Sequence, residues 1–221
     1  MPLRLPLAAA LSLAAAPAFA VSFTLTDLGD LPGGSDLSYA YGINDSGQVV
    51  GYSDATTGNR AFLWDSGTMT DLGDLPGGSD FSLALGINEA GQVVGSSRVA
   101  TGDRAFLWES GTMTDLGALP GSDGVSRATG INASGHVVGF SGATRNSRAF
   151  LWESGTMTAL GDLTGESDFS EAMGINDAAK VVGGSGTATG TRAVLWDSGT
   201  TTDLGDLPGG GDDLSLGFGI N

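Results

Sequence analysis

Between residues 82 and 116 the chain runs through four short stretches in which large apolar residues alternate with small or polar ones. In SLALGI (82–87), Leu83, Leu85 and Ile87 alternate with Ala84 and Gly86. QVVGSS (92–97), RAFLW (104–108) and TMTDL (112–116) follow. A period of two over five or six residues is the pattern of a β-strand. Turn chemistry separates the stretches. Asn88-Glu89-Ala90-Gly91 offers Asn and Gly, both tolerant of positive φ, and Glu109-Ser110-Gly111 reads as a tight turn. Residues 99–103 read as a polar loop of variable content, and Pro120-Gly121 is the pair that a type II turn favours. Four antiparallel strands are thus predicted within one unit.

The strand faces say what surrounds them. In RAFLW, Phe106 and Trp108 share one face, and Ala105 and Leu107 share the other. A hairpin with water on one side would carry a polar face. A sheet apolar on both faces lies between two neighbouring sheets. The first strand sets large residues against Gly and Ala, a taper that suits the crowded axis of a propeller.

The neighbouring sheets are copies of the same unit. Trp64, Trp108, Trp152 and Trp196 are spaced by 44 residues, and Gly42-Ile43-Asn44 returns with the same step at Gly86, Gly130 and Gly174. A last Gly219-Ile220-Asn221 comes one residue late, after Gly209-Gly210-Gly211. A single copy cannot bury both faces, so each copy serves as the next one's core. The predicted fold is all-β: a β-propeller-like array of four full four-stranded units, at about 37–72, 81–116, 125–160 and 169–204. SFTLTDL (22–28) matches a fourth strand and LSLGFGI (214–220) a first, so a single strand is expected at each end. Such an array is open, or closes four blades with the ends left over, or is a piece of a longer array. A stacked β-solenoid, with parallel strands, is the alternative.

Residues 1–20 are of another kind. Arg4 gives a basic start, an apolar run spans 5–16, and Ala18-Phe19-Ala20 has the small-x-small form of a signal peptidase site. The segment reads as a secretory signal peptide, leaving 21–221 as the repeat domain. No later stretch is apolar enough to cross a bilayer as a helix. Lys and Arg number 9 against 25 Asp and Glu, a net charge of −16, which opposes nucleic acid and anionic lipid. There is no Cys. The expected location is secreted, extracellular or periplasmic, with burial rather than disulfides holding the fold.

The unit TDLGDLPGG…AYGINDSGQVVGYS…RAFLWDSGTM resembles the HAF repeat of extracellular bacterial proteins, over residues 24–221. The family's His-Ala-Phe-Leu-Trp segment has Arg in place of His here, at Arg60, Arg104, Arg148 and Arg192, and Val194 replaces the last Phe. The resemblance implies secretion and β-rich repeats. It implies no established reaction, and no catalytic residues carry over.

The inventory for chemistry is thin. The one His, His136, stands where other copies have Gln48, Gln92 and Lys180, and reads as a solvent-facing strand residue. A zinc site of His and Cys ligands is ruled out by the inventory. Asp65, Glu109, Glu153 and Asp197 follow the tryptophans once per unit, which suits a turn rather than a catalytic pair. The loops carrying Asp30 and Asp36, Asp74 and Asp80, and Asp206 and Asp212 flank Gly turns and are the candidate Ca²⁺ ligands. Read as solvated acidic loops, they need no ion. The pairs Arg60/Trp64, Arg104/Trp108, Arg148/Trp152 and Arg192/Trp196 share a strand face and read as a structural ladder, with guanidinium stacking on a neighbouring indole. The expected function is a non-enzymatic scaffold meeting an extracellular partner or glycan through the variable loops 54–59, 99–103, 142–147 and 186–191. A carbohydrate-binding or glycoside-cleaving propeller is the alternative, to be recognised by an exposed aromatic groove or by acids off the repeat register.

Overall fold

A computed structural model describes residues 23–143, 146–163, 168–207 and 213–221. The expected signal peptide and Asp212 lie outside these residues, as does part of loop 142–147. Blade 1 comprises β1 (Gly33–Ile43), β2 (Val49–Ala55), β3 (Gly58–Asp65) and β4 (Thr68–Asp71). Blade 2 comprises β5 (Ser82–Ile87), β6 (Val93–Val99), β7 (Gly102–Glu109) and β8 (Thr112–Gly117). Blade 3 comprises β9 (Ser126–Ile131), β10 (Val137–Ser141), β11 (Arg148–Glu153) and β12 (Thr156–Ala159). Blade 4 comprises β13 (Ser170–Ile175), β14 (Val181–Gly186), β15 (Gly190–Asp197) and β16 (Thr200–Asp203). Each blade is an antiparallel meander in chain order. The antiparallel ladders exclude the solenoid. Among the described residues the sheets do not close into a ring.

Local chemistry sets the hairpins. Ser110 and Gly111 both have positive φ (49° and 86°), the requirement of a type I′ turn, and the same Ser-Gly pair recurs in every blade. The glycine of each Val-Val-Gly has a different reason. A Cβ on Gly51, Gly95, Gly139 or Gly183 would collide with the carbonyl oxygen of Tyr39, Leu83, Arg127 or Glu171, where the first strand bulges against the second. The expected loop at 99–103 is instead a tight turn, because β6 and β7 stay paired as far as Val99 and Gly102.

The blades stack face to face. The first strand of each packs on the first three strands of the blade before it. Val50, Ala61, Leu72 and Leu75 of blade 1 and its link meet Ala84, Val93 and Phe106 of blade 2. Val94, Ala105, Leu116 and Leu119 meet Ala128, Val137 and Phe150, and Val138 and Ala149 meet Ala172, Val181, Val194 and Trp196. The Ala and Leu of RAFLW thus face the following blade, and Phe and Trp face the preceding one. Where Val194 replaces Phe, Trp196 sinks to 3 % exposure and its indole N–H donates to Gly161 O at 3.2 Å.

Two buried serines per unit tie blade to blade. Ser82 Oγ accepts from Ala61 N–H (3.0 Å) and donates to Gly73 O (2.6 Å). Ser97 Oγ accepts from Leu75 N–H (2.9 Å). Equivalent bonds join Ala105 to Ser126, Ala149 to Ser170, Leu119 to Ser141 and Leu163 to Ser185. These backbone N–H groups lie where a link leaves the ladder, and burial without a partner would be costly.

The ends depart from the sequence expectation. Residues 23–30 form no strand, because no third strand lies beside them to complete a ladder. Leu28 and Leu31 instead cover Val49, Phe62, Trp64 and Met69. At the other end, among the described residues, Asp213–Leu214 (β17) pairs in parallel with β15. The residues after it hold the first-strand place through Ser215 N–H to Thr191 O (2.9 Å) and Gly217 N–H to Gly183 O (3.1 Å).

Phe106 is fully buried between blades 1 and 2. Phe106→Ala is expected to destabilise the fold by about 3–5 kcal/mol. Urea unfolding checks this, and a loss below about 1 kcal/mol would contradict the stacking.

Candidate binding face

The meander divides the array into two ends with different chemistry. One end carries the turns between first and second strands and between third and fourth. The other carries the second-to-third hairpins and the links between blades.

The first end is nearly the same in every unit. Asn44, Asn88 and Asn132 are buried. Each carboxamide holds its own turn: Asn88 Oδ1 accepts from Ala90 and Gln92 N–H at 3.1 and 3.0 Å. Its Nδ2 reaches across to the next blade, donating to Asn132 O at 3.0 Å. Asn44 donates likewise to Asn88 O, Asn132 to Asn176 O and Asn176 to Asn221 O. Asn88 therefore serves through its amide, not through a positive φ, which falls to Gly91 (75°). Beside it, Gln48 donates to Asp65 (2.9 Å) and Gln92 to Glu109 (3.0 Å). His136 lies 3.2 Å from Glu153, and Lys180 lies 2.8 Å from Asp197. The position asks for a hydrogen-bond donor to the acid after Trp, which Gln, His and Lys all supply. The hydrogen bond from Gln48, with a second from Ser66, holds Asp65 below the ordinary carboxylate range. Lys180 does the same for Asp197, with help from Ser198.

The second end carries the variation, and the arginines face it. Arg60 Nη1 lies 2.7 Å from Asp74, and Asp80 lies 3.4 Å from its Nη2. Arg192 pairs with Asp206 at 3.1 Å, and Arg148 donates to Pro120 O at 2.9 Å. Among the described residues the guanidinium–ring contacts are Arg98 over Phe81 and Arg127 over Phe140, neither of them in the expected Arg–Trp pairs. Asp74, Asp80 and Asp206 thus face guanidinium groups. Asp30 and Asp36 line an open depression of about 680 Å³ with Asp27, Leu37 and Tyr39. Among the described residues no three metal-binding side chains come together. A second depression, about 450 Å³, is lined by 121–123, Gly142, Ala143, Asn146, Arg148 and Asp168.

The repeat breaks most sharply on the first strands. The residue after the serine is Tyr39, Leu83, Arg127, Glu171 and Leu216 in successive units, and two further on stand Tyr41, Leu85, Thr129, Met173 and Phe218. All three tyrosines of the chain gather in blade 1. Tyr52 stacks between Tyr39 (5.3 Å) and Tyr41 (6.0 Å), and both outer rings are half exposed. Glu171 is half-buried off the register; desolvation raises its pKa, against a hydrogen bond from Ser147 and the charge of Arg127. Sequence reading missed the tyrosine cluster and the bridging Ser and Asn. The signal was present as polar residues recurring inside apolar strands, and as aromatics confined to one copy.

Asn88→Ala removes a buried bridge between blades and is expected to cost about 1–3 kcal/mol, read by urea unfolding. Because its folded pKa is depressed, Asp65 contributes stability above the ordinary carboxylate pKa, and this is lost as pH falls through the folded value. In Gln48→Leu the Asp65 pKa should move up, as followed by carboxyl NMR titration; an unmoved value would show that Gln48 does not hold it.

No family model matches the chain, and no curated protein matches it. Among solved structures it is similar to TolB from Acinetobacter baumannii, with a TM-score of 0.56 at 10% identity. The likeness covers 76% of this chain, and the chain spans 43% of the length of that TolB chain. At this identity the likeness is one of fold, to a β-propeller.

Proposed function

We propose that the chain is a secreted, non-enzymatic binding scaffold related to the HAF repeat proteins. One observation carries this reading. The residues that join the blades are the same in unit after unit, whereas the first-strand positions and the second-to-third hairpins differ. A fixed frame with variable surface positions is how a rigid scaffold presents binding residues. The acids after the tryptophans are engaged by donors in their own blade, which supports a structural role for them. Secretion rests on the form of residues 1–20 and on the resemblance.

The tyrosine cluster favours one ligand class. The half-exposed Tyr39 ring lines the depression with Asp27, Asp30 and Asp36, and Tyr52 stacks on it, so a flat apolar face lies next to hydrogen-bond acceptors, a combination suited to a sugar ring. A panel of neutral oligosaccharides, followed by tyrosine fluorescence and by release of reducing ends, tests both parts. Binding without turnover is expected. Tyr39→Ala should weaken it about tenfold or more, one aromatic contact of about 1.4 kcal/mol. Turnover would sink the non-enzymatic reading, and absence of binding across the panel would sink the carbohydrate one.

A further inference from the structure

The two ends of the array are incompletely covered halves of an interface that the chain builds three times internally. Leu72 and Leu75 are 6 % and 4 % exposed under blade 2, whereas Leu204 and Leu207, their counterparts after blade 4, are 53 % and 87 % exposed. At the other end Ile43 is 68 % exposed, although its counterpart Ile87 packs into the core between blades 1 and 2. One hydrogen-bonding group is open in the same way. Ser82 Oγ accepts from Ala61 N–H, but its counterpart Ser38 has no third strand before it to supply that donor, and its recorded bond is to Gly29 O. Blade 4 thus presents a face made to receive a blade, and blade 1 presents the face such a blade would offer.

We propose that these ends dock on each other between copies, blade 1 of one chain stacking on blade 4 of the next. The occupant is argued from continuity with the internal interface and from the sequence. TDLGDLPGG stands at 26–34 and again at 202–210, and LSYAYGIN at 37–44 is matched by LSLGFGIN at 214–221. Each end already carries a stand-in for what a second copy supplies. Leu31 N–H donates to Ser53 Oγ (2.9 Å), and Leu207 of the neighbour is its equivalent. Ser215 Oγ accepts from Ala193 N–H (2.9 Å) and donates to Gly205 O (2.7 Å), and Ser38 of the neighbour is its equivalent. Asn176 donates to Asn221 O (3.0 Å), where Asn44 O can stand. Docking exchanges like for like: β1 takes the place of 213–221, and 202–207 takes the place of 26–31. The hydrogen bonds are conserved, and a four-stranded sheet replaces two single segments as cover. This is exchange of an equivalent element between protomers, across a heterologous interface that yields a ring or an open chain.

Light scattering and sedimentation of the secreted chain over a wide concentration range test the proposal. Reversible association to twice the protomer mass or more is expected. Leu207→Asp and Ile43→Asp, both at exposed positions, should each weaken it at least tenfold without moving the circular dichroism spectrum. An equimolar mixture of the two variants should recover a dimer, because one intact head then meets one intact tail. A chain that stays monomeric throughout overturns the proposal. Association untouched by either variant, or a mixture that fails to recover the dimer, overturns it as well.

Discussion

Everything in this molecule depends on one sheet face meeting the next. Ala61, Leu63 and Val50 make one side of blade 1 shallow, and Val93, Phe106 and Trp108 make the opposing side of blade 2 deep. Neither side is stable in water alone. Burial of the deep residues needs the shallow side of another blade, at the spacing of two packed sheets. The glycine of each Val-Val-Gly and the bulge in each first strand act within a blade, where they let the first two strands approach closely.

Apolar stacking fixes the distance between sheets but not their register. The polar groups do that. Ser82 and Ser97 take up backbone N–H groups of the preceding unit, and Asn88 reaches a carbonyl of the following one. A slip by one residue would leave these groups buried without partners. Hydrogen bonds at fixed places therefore turn a greasy contact into a single arrangement. The same frame releases other positions from structural duty. Tyr39, Leu83, Arg127 and Glu171 occupy one repeat position with four different chemistries, which a position needed for stacking would not accept.

Function is argued from where the repetition fails. The invariant end of the array is closed by its own bonds, with Gln, His or Lys on the acid that follows each Trp. The variable end keeps its arginines on the acids of the links, leaving depressions beside Tyr39 and Asp168. An array that is uniform at one end and varied at the other has its surface chemistry placed by the fold.

The period, the strand positions and the two apolar faces of RAFLW were legible in the sequence, and from them the stacked four-stranded units followed. Those properties are local: a strand declares itself in five residues, and a repeat declares itself by comparison with its copies. Tertiary structure decided what depends on contact between residues far apart in the chain. It showed that Ser82, Ser97 and Asn88 bridge blades, that Arg60 faces Asp74 rather than an indole, and that His136 does the work of a glutamine. It gathered Tyr39, Tyr41 and Tyr52 into one stack, and it left Leu204, Leu207 and Ile43 in water. A linear pattern records which way a side chain points within its strand. Only the assembled sheets determine what it meets.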